Sequence, residues 1–475
     1  MLGAVIVLRS SSLPPRWGND SRFAGTSFFN EYHGLIKIKK IVRINTKTYK
    51  MNKRILTTIL SLILITTGVS AQNESKQPSA AKLQAKARAA MKKDIAQAKA
   101  FLKAGNNLDR AEQLMRKHLS DTANVRNERL WLIMFDAVKK QYDQGNEKLY
   151  LKQKYDTASL FNLTKKMFDI LEAFDTIDAR PNERGEVKPQ YRKRHGEFLD
   201  SYRNNLYNGG VYFIGKQKFS EAYSFFDTYL ESACHPLFKS FDYSNNDKRM
   251  PEAAYWAVYC GYKMQQPKAT LHHTYYALKD TAHYQLMLQY LADTYQLEGD
   301  TSRYIGTLRE GFEKYPQEKF FFSRLVDFYG THNQWENVLQ VASQAVDNDS
   351  DDLEAKVVRS TALLNTSRYD DCIAFSNQLI ALSDSLADPY YNSGMASYYR
   401  AIEIDKILKP TSKQRQAMQN YYQQAMKHLE RYRQLAPEQQ DRWALPLYTI
   451  YLNLNMGKEF DEINQLIRQK ANKKN

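Results

Sequence analysis

The side chains best suited to metal chemistry are three histidines in one stretch of the chain, His272, His273 and His283. Their spacing differs from HExxH, in which two histidines four residues apart share one helix face and bind zinc. Neighbouring residues of a helix point about 100° apart, so His272 and His273 should not both face one ion. We therefore interpret these histidines as structural and predict no metal site.

An acidic run further along the chain begins like the D-x-D-x-D of a calcium loop. It comprises Asp347, Asp349, Asp351 and Asp352. Asp352 stands where a calcium loop needs glycine for its sharp turn, and Val358 stands where the bidentate glutamate belongs. The run is therefore predicted to be a solvated turn that caps a helix.

Other catalytic signatures are missing from the sequence. It contains no GxxxxGK[ST] phosphate loop, no GxSxG nucleophile elbow and no dinucleotide-binding fingerprint. The glycine pair Gly209-Gly210 is predicted to lie where two helices touch. We predict that the protein is not an enzyme and that it uses no cofactor.

From Gln285 onward, a pattern of apolar and small residues typical of helices recurs every 34 residues. Large residues of the first unit recur in the next: Leu288, Leu291 and Tyr295 return as Phe322, Leu325 and Tyr329. A slot for a small residue recurs as well, at Ala292, Val326, Ser360 and Gly394. This large, Leu, small and Tyr pattern on the first helix of a 34-residue helix-turn-helix unit resembles the tetratricopeptide repeat.

The resemblance implies an all-α fold, a right-handed α-solenoid of antiparallel helix pairs. Residues 72–180 are predicted to form an N-terminal helical segment with degenerate repeats, and residues 190–475 the repeat array. The stretch between them contains proline and glycine among charged residues. An insertion near residues 402–418 interrupts the array, because Gly394 and Ala425 are much further apart in the sequence than the matching positions of a regular unit.

Residues 51–71 have the features of a secretory signal peptide. Lys53 and Arg54 form a basic start, residues 55–69 carry no charge, and small residues end the segment. We predict cleavage between Ala71 and Gln72. The uncharged run is shorter than the ~20 residues that a membrane-spanning helix needs, so a permanent anchor is the weaker interpretation.

Residues 1–50 precede this signal and show no clear helical or strand periodicity. Because a signal peptide acts at a free N-terminus, we interpret them as a spurious or disordered extension, with translation starting at Met51. A genuine cytoplasmic extension is the alternative. Residues 1–71 carry 11 basic and 2 acidic side chains, so their removal lowers the formal net charge from +16 to +7. This diffuse charge, in an exported protein, predicts no nucleic-acid partner.

The three cysteines, Cys234, Cys260 and Cys372, show no CxxC or other metal-binding spacing. In an oxidising compartment, Cys234 and Cys260 either form a disulfide or remain thiols. Cys372 falls at a repeat position that normally holds alanine. We expect it to be buried between helices as a small apolar residue.

In the tetratricopeptide family the first helix of each pair lines a concave side, where peptides or helices are held. The register of this chain therefore predicts a partner-binding groove at the exposed positions of its first helices. The predicted groove residues are Tyr207, Gln289, Asp293, Gln296, Ser323, Asp327, Tyr391, Met395, Tyr398 and Tyr399. Those from Tyr391 to Tyr399 lie near the insertion, so they either line the groove or pack against it.

These features predict an exported bacterial protein, periplasmic, secreted or associated with the outer membrane. It would act as a non-catalytic scaffold or adaptor of the cell envelope, with an envelope protein or peptide as partner. The alternative is a ligand- or glycan-binding protein in which Trp256, Tyr391 and Tyr399 stack on sugars. The missing lipidation cysteine after Ala71 counts against that alternative, and the oligomeric state stays open.

Overall fold

The computed structural model describes residues 80–474, with side chains from residue 84 to residue 470. The predicted extension 1–50, the signal peptide 51–71 and the cleavage site between Ala71 and Gln72 lie outside the described residues. Within the described residues, no helix is both long enough and apolar enough to cross a membrane.

The described part of the chain consists of helices joined by turns and loops. It contains 20 α-helices and no β-strand. The predicted all-α class is confirmed. The helices form two compact units that divide after Lys216.

The first unit contains five helices, α1 to α5. Their bounds are α1 Ala80–Ala104, α2 Leu108–Leu119, α3 Glu128–Tyr150, α4 Thr157–Asp178 and α5 Arg192–Gly215. Apolar residues at spacings of three and four give α4 one continuous buried face. The buried residues of that face are Leu160, Leu163, Met167, Leu171 and Phe174. The helix starts after Asp156, whose carboxylate accepts hydrogen bonds from the N–H groups of Ala158 and Ser159.

The division between the units lies further along the chain than the predicted boundary at residues 180–190. Helix α5 belongs to the first unit because it packs on α4. Arg192 Nη2 lies 2.8 Å from Oδ2 of the buried Asp175, and the rings of Phe161 and Tyr212 lie 5.5 Å apart. The stretch with proline and glycine is therefore a loop inside the first unit.

The second unit contains helices α6 to α20 and one short 3-10 turn, Pro236–Phe238. The helices before the regular repeats are α6 Phe219–Glu231, α7 Tyr243–Asn246, α8 Met250–Lys263, α9 Pro267–His272 and α10 Thr274–Ala277. The regular pairs are α11 Tyr284–Glu298 with α12 Thr301–Lys314, α13 Lys319–Thr331 with α14 Trp335–Asn348, and α15 Leu353–Asn365 with α16 Tyr369–Leu382. The last helices are α17 Ala387–Asp405, α18 Ser412–Leu435, α19 Gln440–Asn453 and α20 Gly457–Lys474.

The 34-residue period is visible in the backbone as well as in the side chains. From α11 to α17 the starts of the first helices follow this period to within a single position. A residue with positive φ follows the first helix of each pair, at Gln265, Gly299, Asn333 and Ser367, and these positions keep the same period. This left-handed conformation ends a helix by satisfying its last carbonyl groups. The period therefore starts one pair earlier than the sequence pattern indicates, at α8.

The small-residue slot lies where helices make close contact. Ala292 and Ser360 are fully buried in it. At Gly394, an added Cβ would lie 2.8 Å from Leu429 Cγ, closer than side chains pack. Glycine at this position is therefore required by the close approach of α18 to α17.

The inserted residues lengthen one helix pair. Helix α17 has 19 residues and α18 has 24, against 13 to 15 in the regular helices α11 to α16. A capping box starts α18: the Thr411 hydroxyl accepts from the N–H of Gln414, and the Gln414 side chain accepts from the N–H of Thr411. We call α17 and α18 the elongated pair.

All three cysteines are free thiols in the structure. Cys234 is exposed and Cys260 is buried, so of the two alternatives for this pair the structure shows the reduced one. Cys372 is fully buried between helices, as its repeat position predicts. Burial raises the pKa of the Cys372 thiol to about 11.

Candidate functional site

A hydrogen-bonded network joins three successive first helices of the second unit, α8, α11 and α13. The Tyr262 hydroxyl donates to Asp293 Oδ2 at 3.0 Å. Arg324 Nη2 lies 2.8 Å from Asp293 Oδ1, and Arg324 Nη1 donates to Gln296 Oε1 at 3.0 Å. We call Tyr262, Asp293, Gln296 and Arg324 the first-helix network.

The first-helix network is partly exposed, and its two charges balance. The side chains of Arg324 and Asp293 are 33% and 24% exposed. The Arg324 guanidinium also lies 4.3 Å from the centroid of the Phe320 ring, a cation–π contact. Burial, followed by the charge of Asp293, raises the pKa of Tyr262 to about 12, so its hydroxyl stays protonated and donates. These contacts hold the polar groups of the network in one arrangement.

The other predicted groove residues near the network differ in exposure. Gln289 and Ser323 are half-buried, whereas Asp327 is exposed like Gln296. Tyr207 lies on α5 of the first unit, while the remaining nine residues lie on α11, α13 and α17 of the second. The structure therefore brings together Asp293 and Gln296 and adds Tyr262 and Arg324, which the sequence analysis missed.

Aromatic rings on α8 and α11 border the first-helix network. Tyr290 stacks on Tyr262 with ring centroids 4.5 Å apart and lies 5.9 Å from Tyr259. Trp256 meets Tyr259 edge-on at 5.7 Å. All four side chains are half-buried. We call Trp256, Tyr259, Tyr262 and Tyr290 the aromatic cluster; only Trp256 was singled out from the sequence, because the stack forms between two helices that belong to different repeats.

The predicted groove residues on α17 are mostly packed against other helices. Met395 is only 5% exposed, so its prediction as an open groove residue is wrong. The Arg442 guanidinium lies 3.9 Å from the Tyr391 ring centroid, and Tyr432 of α18 lies 5.1 Å from that ring. These contacts form because the elongated helices pack along their length and α19 follows directly. Tyr391 therefore packs on α18 and α19, at residues outside the insertion near 402–418 that the packing alternative named.

The two other tyrosines of α17 lie nearer the surface. Tyr398 is half-buried, with its ring 6.5 Å from Tyr422 of α18. Tyr399 is 37% exposed and lies 5.4 Å from Tyr369. Among the described residues, neither ring stacks on a ring of the aromatic cluster. The sugar platform of Trp256, Tyr391 and Tyr399 stays a prediction, with Trp256 on α8 and the two tyrosines on α17.

Two histidines at the end of α9 meet two carboxylates of α6. His273 Nε2 lies 2.8 Å from Asp227 Oδ1, and His272 Nδ1 lies 3.4 Å from the same oxygen. His272 Nε2 lies 3.6 Å from Glu231 Oε1. One ligand atom from each of these four residues lies within 4.8 Å of the others, so they could hold a metal ion. We call Asp227, Glu231, His272 and His273 the histidine–carboxylate cluster.

This cluster corrects the expectation that His272 and His273 cannot face the same point. The expectation assumed one continuous helix, but α9 ends at His272 and α10 begins at Thr274, with His273 between them at φ −105° and ψ 16°. The break turns the His273 ring toward His272, and the ring centroids lie 4.3 Å apart. His283, by contrast, lies beside Asp280 and stacks on Tyr255.

The acidic run forms the predicted capping turn. Asp352 accepts a hydrogen bond from the N–H of Ala355 at 3.1 Å and so caps α15. Asp349 accepts one from the N–H of Asp351 at 2.9 Å. These carboxylates serve the turn between α14 and α15.

Comparisons with known proteins add a likeness of fold. No known family profile matches the chain, and no curated protein matches it. Three similar solved structures are described as tetratricopeptide-repeat proteins. They are the C-terminal part of one from Cytophaga hutchinsonii (10% identity, covering 54% of this chain and 92% of that chain, TM-score 0.35), one from Parabacteroides merdae (14%, 56% and 97%, 0.29) and one from Bacteroides fragilis (15%, 56% and 98%, 0.28). These values carry no conclusion about partner or activity.

The fold is identified by the repeat geometry of the chain itself. Antiparallel helix pairs, and the turns inside them, recur with a 34-residue period. A 34-residue helix–turn–helix unit defines the tetratricopeptide repeat. The second unit contains an array of helix pairs with the 34-residue period typical of tetratricopeptide repeats. The first-helix network crosses three repeats of this array, and the elongated pair follows its regular part.

Proposed function

We propose that the protein is a non-catalytic scaffold or adaptor of the bacterial cell envelope that binds a protein or peptide on the first helices of its repeat array. The observation that carries this proposal is the first-helix network. It crosses three successive repeats, is partly exposed and contains donors, acceptors and an aromatic border.

The dimensions of the network suit an extended peptide. The axes of packed helices lie about 8–10 Å apart, so three successive first helices span at least about 16–20 Å. An extended chain advances about 3.3 Å per residue, so at least about five or six peptide residues would cross the network. Because Gln296 Oε1 accepts from Arg324, the Gln296 NH2 group is left to donate to a peptide carbonyl.

Preorganisation is the energetic argument for binding at this place. Asp293 holds Arg324 on one side and Tyr262 on the other, so these side chains lose little further freedom when a partner binds. The bordering aromatic cluster supplies large, rigid contact area of the kind that dominates binding energy at interfaces. A polar centre with an aromatic edge therefore favours a peptide over a purely apolar ligand.

The proposed location in the cell envelope rests on the sequence. Residues 51–71 have the features of a secretory signal, and export to the periplasm would bring the first-helix network into contact with envelope proteins. Secretion or association with the outer membrane is compatible with the same signal. A protein or peptide of this compartment is the proposed partner.

Capture of partners from envelope extracts tests the proposal. The chain from Gln72 onward is immobilised, and the captured proteins are identified and then titrated in purified form. Arg324→Gln removes the guanidinium that links α13 to α11 and should weaken binding at least ~10-fold, as expected for a central interface residue.

A matched control is available on a second helix. Arg309 of α12 donates to the Tyr329 hydroxyl at 2.8 Å and lies over the same ring, so Arg309→Gln removes a similar arginine–aromatic contact away from the network. This variant should bind as the unchanged chain does. Equal binding by the Arg324 and Arg309 variants would remove the network from the proposal.

The aromatic cluster supports the alternative of a ligand- or glycan-binding protein. Its four half-buried rings form one patch on α8 and α11, and such rings stack on sugars. Calorimetry of the chain with a panel of oligosaccharides separates the two functions. Binding of an oligosaccharide to the chain alone, abolished by Tyr290→Ala, would favour this alternative over the scaffold.

A further inference from the structure

The histidine–carboxylate cluster has no part in the proposed function, and its chemistry points elsewhere. Two imidazoles and two carboxylates from separate segments meet within 4.8 Å. We propose that Asp227, Glu231, His272 and His273 bind one Zn²⁺ ion, or a similar divalent transition metal, as a structural site.

The carboxylate half of the site is set by helix periodicity. Asp227 and Glu231 are four residues apart on α6, so their side chains project from one face, one turn apart. Both reach toward the same histidine: Asp227 Oδ1 lies 3.4 Å from His272 Nδ1, and Glu231 Oε1 lies 3.6 Å from His272 Nε2. The two carboxylates therefore supply two of the four ligands, and the two imidazoles face them.

The histidine half of the site depends on a close backbone approach and a helix break. A Cβ on Gly261 would lie 2.8 Å from the carbonyl carbon of Ala269 and still closer to the Thr270 nitrogen, so glycine lets α9 approach α8. The chain then breaks at His273 before α10. This geometry turns two consecutive histidines toward α6, which a continuous helix would prevent.

The ligand types and their spacing favour zinc. Imidazole nitrogen and carboxylate oxygen are both zinc ligands, and bonds of about 2.0–2.1 Å place the ligand atoms of a tetrahedral ion about 3.3 Å apart. With Nδ1 as the His272 ligand atom, Asp227 Oδ1 lies 3.4 Å from it and 2.8 Å from His273 Nε2, close to that value. One ligand atom of Glu231 lies within 4.8 Å of the other three ligand atoms. Two neutral imidazoles and two carboxylates would give a neutral complex with a divalent cation. Imidazole ligands favour zinc, nickel or copper over magnesium or calcium.

A hydrogen-bonded cluster without metal explains only part of this arrangement. The 2.8 Å contact between His273 and Asp227 is a normal hydrogen bond, and it suffices for those two residues. The 3.6 Å separation of His272 and Glu231 is too long for one, and both side chains are more than half exposed. Their approach to the same point is what a bound ion would account for.

The surroundings provide an outer shell and an opening. The Tyr223 hydroxyl lies 3.4 Å from His272 Nδ1 and is also hydrogen-bonded to Asp227, so it can orient these ligands. His273 is 6% exposed and His272 is 53% exposed, so the site has a buried side and a side open to ions. Four protein ligands complete a tetrahedron, which is typical of structural rather than catalytic zinc. The ion would join α6 to the segment that contains α9 and α10.

Metal titration of the untagged full chain tests the site. The protein is stripped with a chelator and titrated with Zn²⁺ against a chromophoric competitor, with Mg²⁺ and Ca²⁺ in parallel. We expect one Zn²⁺ per chain, visible d–d absorption of a tetrahedral site with Co²⁺, and a higher unfolding temperature with Zn²⁺. His272→Gln should weaken Zn²⁺ binding at least ~100-fold, since even outer-shell changes cost about 10–100-fold.

His272 is the preferred variant because it is largely exposed, so its replacement does not disturb the packed core. His118→Gln is the matched control, since His118 Nε2 lies 2.9 Å from Asp94 Oδ2 in a single histidine–carboxylate pair of the first unit. It should leave Zn²⁺ binding unchanged. Absence of saturable Zn²⁺ binding, or equal affinity in the His272 and His118 variants, would overturn the site, and preference for Mg²⁺ or Ca²⁺ would overturn the assigned metal class.

Discussion

The first-helix network and Tyr391 of the elongated pair both lie on first helices of the array, yet their side chains have opposite surroundings. In the network, Asp293 and Arg324 bind each other across neighbouring first helices and stay partly exposed. In the elongated pair, Tyr391 lies between Arg442 and the buried Tyr432. Repeat register decides which way a side chain points, but the helices packed around it decide whether it is covered.

The first-helix network is therefore a surface on which a partner could bind, whereas the elongated pair contributes to stability. The large side chains of the elongated pair, Tyr422, Leu429 and Tyr432, are at most 1% exposed. No member of the first-helix network is buried to that degree. Substitutions in the elongated pair should therefore change the free energy of unfolding, and those in the network should change binding.

The largest effect is expected from Tyr432→Ala. Removing a fully buried aromatic side chain leaves a cavity and should lower the free energy of unfolding by about 3–5 kcal/mol. Tyr295→Ala is the control on the regular repeats: that ring is half-buried against the core beneath Arg303, and its loss should cost about 1–1.5 kcal/mol. Urea unfolding followed by circular dichroism measures both. Similar losses in the two variants would break the comparison.

A smaller effect, with opposite signs in the two regions, is expected from adding one methyl group to a helix glycine. Gly394→Ala places Cβ against Leu429 and should destabilise the elongated pair by about 1–3 kcal/mol. Gly306→Ala adds the same group in the regular helix α12, where its Cβ meets no atom within 4 Å. It should stabilise the protein by about 0.4–1 kcal/mol through helix propensity.

The same urea unfolding experiment compares these two glycine variants with the unchanged chain. A stabilising Gly394→Ala would mean that α17 and α18 are separated by more space than the structure shows. A destabilising Gly306→Ala would contradict the open surroundings of α12 instead.

The repeat architecture could be predicted from sequence because each unit is a local pattern. Leu288 and Leu291 lie on one face of a single helix, so their spacing alone indicates its buried side. The slot from Ala292 to Gly394 and the cap at Asp352 are local in the same sense, and the structure shows both. The pair containing Gln265 was not assigned to the 34-residue period, because there the period is carried by a backbone conformation.

The sites were harder to predict because they depend on contacts between distant parts of the chain. Arg324 reaches Asp293 from the next repeat, and Arg442 reaches Tyr391 from two helices further on. Met395 is buried in the core of the second unit, which register alone does not reveal. The histidine–carboxylate cluster depends on a helix break at His273, which the sequence analysis did not predict.

The smallest effect concerns the response of the elongated pair to acid. Burial, followed by the charge of Lys427, lowers the pKa of His428 below its ordinary value of about 6.5. The unfolded chain then binds a proton that the folded chain does not. The stabilising contribution of neutral His428 is therefore present above about pH 6.5 and is lost as the pH falls through the folded value.

His428→Leu isolates this contribution, because His428 Nδ1 is buried without a hydrogen-bond partner among the described residues and its replacement breaks no bond there. Between pH 7 and pH 5 the variant should lose less unfolding free energy than the unchanged chain, by about 1 kcal/mol or less. His332→Leu, at an exposed position on the regular repeats, should lose as much as the unchanged chain. If the His428 variant also loses as much, water reaches the interior of the elongated pair, and the distinction between a covered and an open face of the array would no longer hold.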